Sequence, residues 1–385
     1  MNFKMQTQIQ QLIMAIDKVV SASIADDAVT SDKVASGVLP VNFRNIIING
    51  DMGIAQRGTS ASSLTSSGYN TMDRWNLALS SLGTWTQSQS TDVPTGQGFA
   101  TSMKLDCTSA DASPSASDAM ILQTRIEGQM LQYLKKGTSS AESTTMSFWV
   151  KSNKTGTYIC ELRDNDNSRQ ISKSYTISSA DTWEKKEITF AGDTTGAFDN
   201  DNAKSLEIEF WLGAGTDYTS GSLATSWASA TNANKAVGQV NLADSTSNEW
   251  YITGVQLEVG TAASDFEFLP FDVNLTRCQR YFEKSYQMAD VPGTSGSGGS
   301  YGLQFGGATA NIDATIIMST RKRATPTLTV YDLAGTSNKA SYYTGSWNNG
   351  GSLGGSRGRE TYVHVDTNIS SSSIVAWHFT ADSEL

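Results

Sequence analysis

The sequence has few of the residues on which most enzymatic chemistry depends. It contains two histidines, His364 and His378, and three cysteines, Cys107, Cys160 and Cys278. A Ser-His-Asp triad would have to use one of these histidines, and no Gly-x-Ser-x-Gly elbow joins a strand to a helix, so we expect both to be satisfied residues of a sheet. Because the cysteines are odd in number and widely spaced, we expect small buried side chains in a protein assembled in a reducing cytosol.

Other functional classes are disfavoured by what the sequence lacks. The formal net charge is -10 and there is no run of basic residues, so we expect no nucleic-acid partner. No apolar stretch reaches the ~20 residues of a membrane-spanning helix, so we expect no membrane insertion. Phosphate-binding glycine patterns are missing from any strand–loop–helix setting, and we expect no cofactor and no metal. Glutamines interrupt the apolar residues near the amino terminus, which argues against a secretory signal.

Most of the chain alternates between apolar and polar residues as β-strands do. The clearest case is Ser205–Gly213, in which large apolar residues alternate with Glu207 and Glu209. Long loops rich in glycine, serine, threonine and asparagine separate such segments, which favours antiparallel sheets over βαβ units. We therefore predict a mainly β protein, with a jelly-roll β-sandwich over residues 41–271 and a small C-terminal β domain over residues 291–385.

Two helices are predicted outside the sheets. In the first, near the amino terminus, four apolar residues recur at heptad spacing, namely Ile9, Leu12, Ile16 and Val19. This pattern is compatible with three packed helices as well as two, and we predict that residues 1–40 form an oligomerising helix and a collar. An amphipathic helix packed on its own domain is the alternative. The second helix, capped by Asp272, is expected over residues 272–290 as a link between the β domains.

Two motifs frame the predicted sandwich. The first is Asn45–Met52, with turn chemistry at Asn49-Gly50-Asp51. It leads into Asp73-Arg74-Trp75, where we expect an ion pair beside a large aromatic side chain. The second is Trp250–Gly260, in which the alternation fails at Gly254 and so predicts a bulge or a strand covered on both faces.

These motifs, with others in the same order, carry a resemblance to a known family. Together with Phe148–Lys151, Thr182–Lys186 and Arg277–Lys284, they resemble the tail-fibre or receptor-binding proteins of tailed bacteriophages, many of them marine. The resemblance covers residues 45–285 and extends more weakly to Arg321–Val330. It is specific for the fold and the viral setting, and much less so for the ligand.

The resemblance implies an architecture and a setting. A carbohydrate-binding-module-like jelly roll would be followed by a helix and a small C-terminal β domain. The protein would belong to the tail of the virion, after assembly in the host cytoplasm, and its amino-terminal segment would bind the phage tail or an adaptor protein. We expect a homotrimer, with the heptad residues as the candidates for trimer contacts.

Two loops are both acidic and rich in amides, Asp164–Asn167 and Asp199–Asn202. Their oxygen atoms are the ligands that calcium prefers, but neither loop has the full calcium-binding pattern with a closing glutamate. Solvated turns, calcium ligation and a catalytic carboxylate pair are three interpretations that the sequence alone leaves open, in decreasing order of support.

The strongest candidate for ligand binding is a glycine-rich segment in the C-terminal domain. Sugar rings stack on flat side chains, while amides and guanidinium groups bind their hydroxyl and acidic groups. The candidate glycan-binding residues are Tyr342, Tyr343, Trp347, Asn348, Asn349, Arg357 and Arg359. The alternative is that the aromatic residues pack against the sheet or a neighbouring subunit.

We therefore predict a non-enzymatic tail fibre that attaches the virion to a host cell-surface polysaccharide through its C-terminal domain. Trimerisation would multiply weak contacts through effective concentration. Two other classes stay open: a structural fibre or head-decoration protein without receptor binding, and a tailspike that depolymerises glycans.

Overall fold

The structure is a computed structural model that describes residues 43–296, 298–304, 312–369 and 374–385. The amino-terminal helix, the collar and the trimer candidates Ile9, Leu12, Ile16 and Val19 lie outside the described residues, so those assignments stay predictions. In the described chain, no helix is long and apolar enough to cross a membrane.

Antiparallel strands dominate the first part of the structure, as the alternation predicted. These strands are β1 (Ser60–Gly68), β2 (Asn76–Ser90), β3 (Ser102–Ser109), β4 (Ala119–Glu127), β5 (Thr144–Ser152), β6 (Gly156–Asp164), β7 (Arg169–Ile177), β8 (Glu184–Phe190), β9 (Lys204–Ala214), β10 (Ala228–Ser229) and β11 (Glu249–Val259). They pair in the order β10-β7-β6-β9-β4-β2-β3-β11-β5-β8, with β1 also on β2. The expected mainly β fold with an antiparallel sandwich is confirmed.

The long strand β2 belongs to both layers of the sandwich. Residues 76–80 pair with β4, whereas residues 84–90 pair with β3. Between them Gly83 adopts a φ of 73°, and a Cβ added there would lie 2.6 Å from the carbonyl oxygen of Ser109. Only glycine fits this corner, where the strand passes from one layer to the other.

The core between the layers is large and aromatic. Nine aromatic rings are buried in it, namely Trp75, Trp85, Phe148, Tyr158, Tyr175, Phe190, Phe198, Phe210 and Trp250. Phe210 lies in edge contact with Phe148, with their ring centres 5.1 Å apart. In most of the strands one set of alternating apolar residues points at this core, as the alternation in the sequence indicated.

The first motif lies beside β11 and is hydrogen-bonded to it without forming a regular strand. The backbone amide of Ile46 donates to Leu257, and that of Val255 donates to the carbonyl oxygen of Gly50, both at 2.9 Å. In β11 the pairing register shifts between Thr253 and Gln256, and Gly254 has a φ of 62°. The predicted bulge is therefore confirmed, and β11 is also buried on both faces.

The C-terminal part is also β, and it begins earlier than the sequence suggested. Its strands are β12 (Phe282–Lys284), β13 (Tyr301–Gln304), β14 (Ile312–Ile317), β15 (Thr327–Tyr331), β16 (Lys339–Tyr343), β17 (Trp347–Gly358), β18 (Tyr362–Thr367) and β19 (Ile374–Asp382). β19 pairs with β12, β13, β15 and β16 and so organises this lobe.

The two described helices are α1 (Thr216–Thr219) and α2 (Phe271–Gln279). The link between the lobes is thus a shorter helix than predicted, because Phe282 lies in β12 and pairs with β19 rather than extending a helical face. The residue before α2 is Pro270, so Asp272 falls inside the first turn instead of capping it.

All three cysteines, Cys107, Cys160 and Cys278, are buried and free. The prediction of small buried side chains is confirmed. Burial raises the pKa of the Cys278 thiol well above its ordinary value. None of these thiols has the lowered pKa that a nucleophile requires.

Buried charges hold the two lobes together. Arg74 is buried, donates to Glu384 and to the carbonyl oxygen of Arg125, and lies with its guanidinium carbon 3.5 Å from the ring centre of Tyr281. Arg57 reaches the same carboxylate at 3.4 Å. The expected ion pair between Asp73 and Arg74 is not formed, because each residue binds a different partner.

Asp73 turns away from Arg74 and into the interior. Its two carboxylate oxygens accept from the backbone amide of Gln56 at 3.0 Å and from the Gln56 side chain at 2.5 Å. Burial raises the pKa of Asp73 to about 6, although the nearby Arg57 acts in the opposite direction. Trp75 donates from Nε1 to the carbonyl oxygen of Asn49 at 3.0 Å, which ties this motif to the first.

Replacing Arg74 with methionine tests the importance of the buried ion pair. Arg74→Met keeps most of the volume but leaves Glu384 with less compensation, so we expect a loss of about 3–5 kcal/mol in the free energy of unfolding, measured by urea denaturation. The control is Arg321→Met, whose ion pair with Glu360 is exposed and should matter by less than about 1 kcal/mol. Equal effects of the two substitutions would contradict the interpretation.

Candidate functional site

The predicted aromatic segment forms the β16–β17 hairpin. Tyr343 ends β16 and Trp347 begins β17, and the two residues pair across the turn. Their exposed fractions are 39% and 46%, and their ring centres lie 5.6 Å apart at an angle of 69°. We call Tyr343 and Trp347 the tip pair. It places two large flat rings on a projecting, glycine-containing turn.

The other aromatic and amide candidates support the hairpin. Tyr342 packs partly against the C-terminal core. The side-chain amide of Asn348 donates to Thr344 Oγ1 at 2.8 Å, within the turn. Asn349 accepts from Ser341 Oγ at 2.6 Å. Because Tyr342 is only partly exposed, Tyr343 and Trp347 are the rings of the predicted set that are best placed to meet a ligand.

The structure does not bring the predicted arginines to the tip pair. Arg357 lies ten residues beyond Trp347 on β17, which separates them by roughly 30 Å along an extended strand. Arg357 lies 3.6 Å from the carboxylate of Asp366 on β18. The backbone amide of Arg359 closes the following turn by donating to the carbonyl oxygen of Tyr362 at 2.8 Å.

A second aromatic cluster lies on the outer face of the sandwich, where Trp149, Lys151 and Trp183 are half-buried and Tyr251 is buried. Phe148 and Val150 of β5 point into the core, so Trp149 and Lys151 point outwards. Lys151 pairs with Tyr251 of β11 in register, and its ammonium lies 4.3 Å from the Tyr251 ring centre and 5.8 Å from that of Trp183. We call Trp149, Lys151, Trp183 and Tyr251 the platform.

Asp92 fixes two side chains of the platform, one through a hydrogen bond and one through an ion pair. Trp183 Nε1 donates to Asp92 at 2.9 Å, and Lys151 donates to the same carboxylate. Although burial acts in the opposite direction, these hydrogen bonds lower the pKa of Asp92. A carboxyl group held ionised in this way suits a structural anchor and not a general acid.

The platform was not predicted from the sequence, because its residues were assigned only to the motifs of the sandwich. Two adjacent aromatic residues in a strand must place one ring on each face of the sheet. Phe148-Trp149 and Trp250-Tyr251 are such pairs, each with its first ring in the core. The sequence therefore contained an indication of the platform, because Trp149 and Tyr251 are aromatic at positions where the alternation predicts an outward-facing residue.

A lysine ammonium occupies the first acidic loop. Lys136 is buried, with Nζ 2.6 Å from Asp164 and 3.1 Å from Asp193. It also donates to the carbonyl oxygens of Thr195 and Gly196 at 3.0 and 2.7 Å. The oxygens that calcium would need at Asp164 are thus bound to an internal cation. In the described ranges no group of three or more His, Cys, Asp or Glu residues could hold a metal ion.

The second acidic loop contacts the C-terminal lobe. The side-chain amide of Asn202 donates to the carbonyl oxygen of Arg323 at 2.6 Å, and Arg323 donates back to that of Asn202 at 2.9 Å. Asp201 accepts from the backbone amide of Ala203 at 2.9 Å. These contacts give the loop a role in packing the lobes.

The two histidines are hydrogen-bonded within the C-terminal sheet. His378 is buried, contacts Ser285 Oγ through Nδ1 at 3.2 Å and the carbonyl oxygen of Gly296 through Nε2 at 3.1 Å, and stacks on Tyr286. His364 contacts Thr315 Oγ1 at 3.2 Å. The second nitrogen of His378 meets a backbone carbonyl where a triad would need a carboxylate, whereas Nε2 of His364 lies 2.6 Å from a carboxylate oxygen of Asp366.

One pair of carboxyl groups lies buried on the outer face of the β6–β9 ladder. Glu161 and Glu209 are opposite each other in register and are both buried. Trp211 Nε1 donates to Glu161 at 3.0 Å, and Lys235 opposes the accumulated negative charge. Burial, followed by the charges of Glu161 and Glu207, raises the pKa of Glu209 well above its ordinary value.

This raised pKa predicts a loss of stability towards alkaline pH. The folded state keeps a proton on Glu209 that the unfolded state releases above its ordinary pKa of 4.5, so stability should fall as the pH rises above that value. We expect Glu209→Gln to raise the melting temperature at pH 8 and to change it little at pH 4. Glu187→Gln, at a more exposed carboxylate, should show no such difference, and an effect of Glu209→Gln that is independent of pH would exclude this account.

Comparisons with known proteins give no family for the chain. No protein-family model matches it, and no curated protein does. Among solved structures, the enzymatically active domain of tailspike protein 4 from bacteriophage CBA120 is 18% identical over 56% of this chain, with a TM-score of 0.30. The chain spans 22% of the length of that tailspike chain.

Two further solved structures are of a putative sugar-binding protein and of a carbohydrate-binding module. A putative sugar binding protein from Bacteroides thetaiotaomicron is 13% identical over 56% of this chain and 100% of its own, with a TM-score of 0.32. A family 11 carbohydrate-binding module from Clostridium thermocellum, in complex with a tetrasaccharide, is 12% identical over 54% of this chain and 98% of its own, with a TM-score of 0.26. Likenesses with TM-scores this low carry no argument about the function of this chain.

Proposed function

We propose that the chain is a non-enzymatic tail-fibre protein of a bacteriophage that attaches the virion to a glycan on the host cell surface. The observation that carries the proposal is the tip pair, in which Tyr343 and Trp347 expose two rings on a projecting hairpin of the C-terminal lobe. Two exposed rings in contact with each other on a surface turn form a flat patch of the kind that sugar rings stack on, and surface loops often carry binding residues. The viral setting rests on the ordered motifs of the sequence.

The tip pair suits a sugar ring better than an extended apolar partner. The two rings meet edge to face and so present two flat surfaces at a steep angle. Polar groups of the turn surround them, including the hydroxyl of Thr344, which already accepts from Asn348. A pyranose has apolar faces and polar edges, and such a corner can cover one face while the turn meets its hydroxyl groups.

Attachment in this account needs no bond cleavage. Glycan hydrolysis requires two carboxyl groups beside the scissile bond, one of them with a raised pKa. The raised pair Glu161 and Glu209 is buried in the sandwich, and the carboxylate nearest the platform, Asp92, has a lowered pKa. Adhesion through stacking and hydrogen bonds is the mechanism that these groups support.

Oligomerisation would convert weak contacts into firm attachment. Stacking of a single sugar on the tip pair is a small interface, which by itself gives weak binding. We propose that the protein is a homotrimer joined through Ile9, Leu12, Ile16 and Val19 and held to the tail or an adaptor by its amino-terminal segment. Three linked sites raise the effective concentration of each site for a repeating polysaccharide.

A glycan array tests the proposed function. Removing either ring should cost about 1.4 kcal/mol of stacking, so we expect Tyr343→Ala and Trp347→Ala each to weaken glycan binding about tenfold and to reduce adsorption to host cells in parallel. The control is Tyr133→Ala, which removes an equally exposed ring from the other lobe and should leave both readouts unchanged.

Two outcomes would contradict the proposal. If the double variant of the tip pair binds the array and host cells as tightly as the unmodified protein, the tip pair is not the receptor site. If the glycans bound by the protein become shorter on incubation, attachment is enzymatic. Binding that is lost in Trp149→Ala or Trp183→Ala and kept in the tip variants would move the site to the platform.

A further inference from the structure

The most exposed aromatic rings of the described chain lie on the sandwich and have no part in glycan binding by the tip pair. They belong to Phe43, Phe268 and Phe271, whose exposed fractions are 58%, 50% and 59%. Phe43 is the first described residue, and the other two rings belong to the segment 266–271 that leads into α2. We call Phe43, Phe268 and Phe271 the root patch.

Short contacts hold the three rings of the root patch in one part of the surface. The backbone amide of Phe43 donates to Glu267 Oε1 at 2.5 Å, and Glu267 directly precedes Phe268 in the chain. The guanidinium carbon of Arg277 lies 5.9 Å from the centre of the Phe43 ring, and Arg277 belongs to the same helix as Phe271. The start of the first motif, the segment before α2 and α2 itself therefore each contribute one ring.

A patch of this kind is typical of a surface that contacts another protein. Monomeric proteins rarely expose large contiguous apolar patches, and aromatic side chains are enriched where protein surfaces meet. The ring of Phe268 packs against Phe99 and Phe266, with ring centres 5.1 and 4.9 Å away, so it is exposed in a fixed orientation. A ring that is already fixed loses little side-chain entropy when a second surface covers it.

The charges beside the root patch suit a copy of the same surface. Arg277 is half-buried, and within the described residues its guanidinium makes no ion pair and one hydrogen bond, to the carbonyl oxygen of Asn45 at 3.4 Å. Burial lowers the pKa of Arg277, as it does for a cation that lacks a close carboxylate. Asp265 and Asp272 are exposed on the same segments. A copy of this surface therefore brings both an acid for the guanidinium and a guanidinium for these acids.

The place of the root patch in the chain favours a second copy over a free partner. The heptad residue Val19, one of the candidates for trimer contacts, lies 24 residues before Phe43 in the sequence. Even a fully extended chain of that length spans only about 80 Å. If the heptad residues join three chains, the three root patches are tethered at an effective concentration in roughly the millimolar range. A contact that is weak between free molecules then forms within the assembly.

We propose that the root patch is a contact between copies of this chain, in which Phe43, Phe268 and Phe271 of the subunits pack together around the symmetry axis. The guanidinium of Arg277 pairs there with an exposed carboxylate of the partner subunit. The proposal rests on the homotrimer of the proposed function, and it adds a second subunit interface, formed by the sandwich, to the one predicted for the heptad residues.

Sedimentation velocity of the full chain tests this interface. Phe43→Ser combined with Phe271→Ser removes the two most exposed rings, so we expect the trimer to dissociate at a concentration about tenfold higher than that of the unmodified protein. The control is Ile317→Ser, which removes a 74% exposed apolar side chain from the C-terminal lobe and should leave the dissociation unchanged. Equal dissociation of the double variant and the unmodified trimer would overturn the proposal.

Hydroxyl-radical footprinting decides the case in which the helical contacts keep every variant assembled. Relative to the denatured protein, Phe271 of the trimer should be oxidised about fivefold more slowly, because rings inside a subunit contact are shielded from solvent. Ile317 should be protected much less, as its exposure predicts. Equal protection of the two residues contradicts the interface. Protection of Phe271 that persists in a monomeric Ile9→Asp, Ile16→Asp variant would assign the cover to the same chain and would also overturn the proposal.

These outcomes separate the interface from the proposed function. A trimer whose root patch is unprotected refutes the interface and leaves both the trimer and attachment through the tip pair standing. A protein that sediments as a monomer at every concentration refutes the trimer and the interface together, while array binding by the tip pair still decides attachment. A protected root patch in a protein whose tip pair binds no glycan supports the interface and refutes the proposed receptor site.

Discussion

The arrangement of the described residues depends on an arginine that is buried where the sandwich meets the C-terminal lobe. Arg74 is buried, so its charge must be compensated by groups of the protein. The carboxylate of Glu384, the carbonyl oxygen of Arg125 and the ring face of Tyr281 provide this compensation. Because Glu384 lies just beyond β19, its contact with Arg74 fixes the end of that strand. The four strands that pair with β19 are positioned through it. The orientation of the tip hairpin is therefore set by a charge in the sandwich.

Pairs of adjacent aromatic residues place some of the rings of the protein outside the main cores. Where two aromatic residues are neighbours in a strand, one ring enters a core and the other lies on the opposite face, as in Phe148-Trp149 and Tyr342-Tyr343. Trp211, the outer member of the pair with Phe210, packs instead with Ile159 and Tyr218 in a small second cluster. The same local pattern thus occurs in a core, in the platform and in the tip hairpin, depending on what covers the outer face.

The sequence was sufficient to predict those features that depend on local pattern. The antiparallel strands, the bulge at Gly254 and the buried cysteines all follow from alternation, from the absence of a Cβ or from composition. It was not sufficient where partners are distant in the chain. Nothing near Arg74 indicates that its partner is Glu384, and neither the internal cation Lys136 nor its carboxylate Asp193 stands out beside Asp164.

In the candidate site, too, the features set by local pattern were predictable and those set by distant parts of the chain were not. The exposure of Tyr343 and Trp347 on a glycine-containing turn was predictable from their types and neighbours. Their separation from Arg357 was not, because it depends on the length of β17, and a twelve-residue strand cannot be told from a shorter one inside a glycine-rich segment. Residues that are close together in the sequence can lie far apart in the structure when they occupy the two ends of one long strand.

Hydrogen–deuterium exchange of the full chain, with and without a polysaccharide selected on the array, tests the central claim most directly. If the C-terminal lobe is the receptor-binding part, the polysaccharide should slow exchange of the backbone amides in residues 342–350 and leave β5, β8 and β11 unaffected. Protection confined to the platform strands, with no change in the hairpin, would contradict the account.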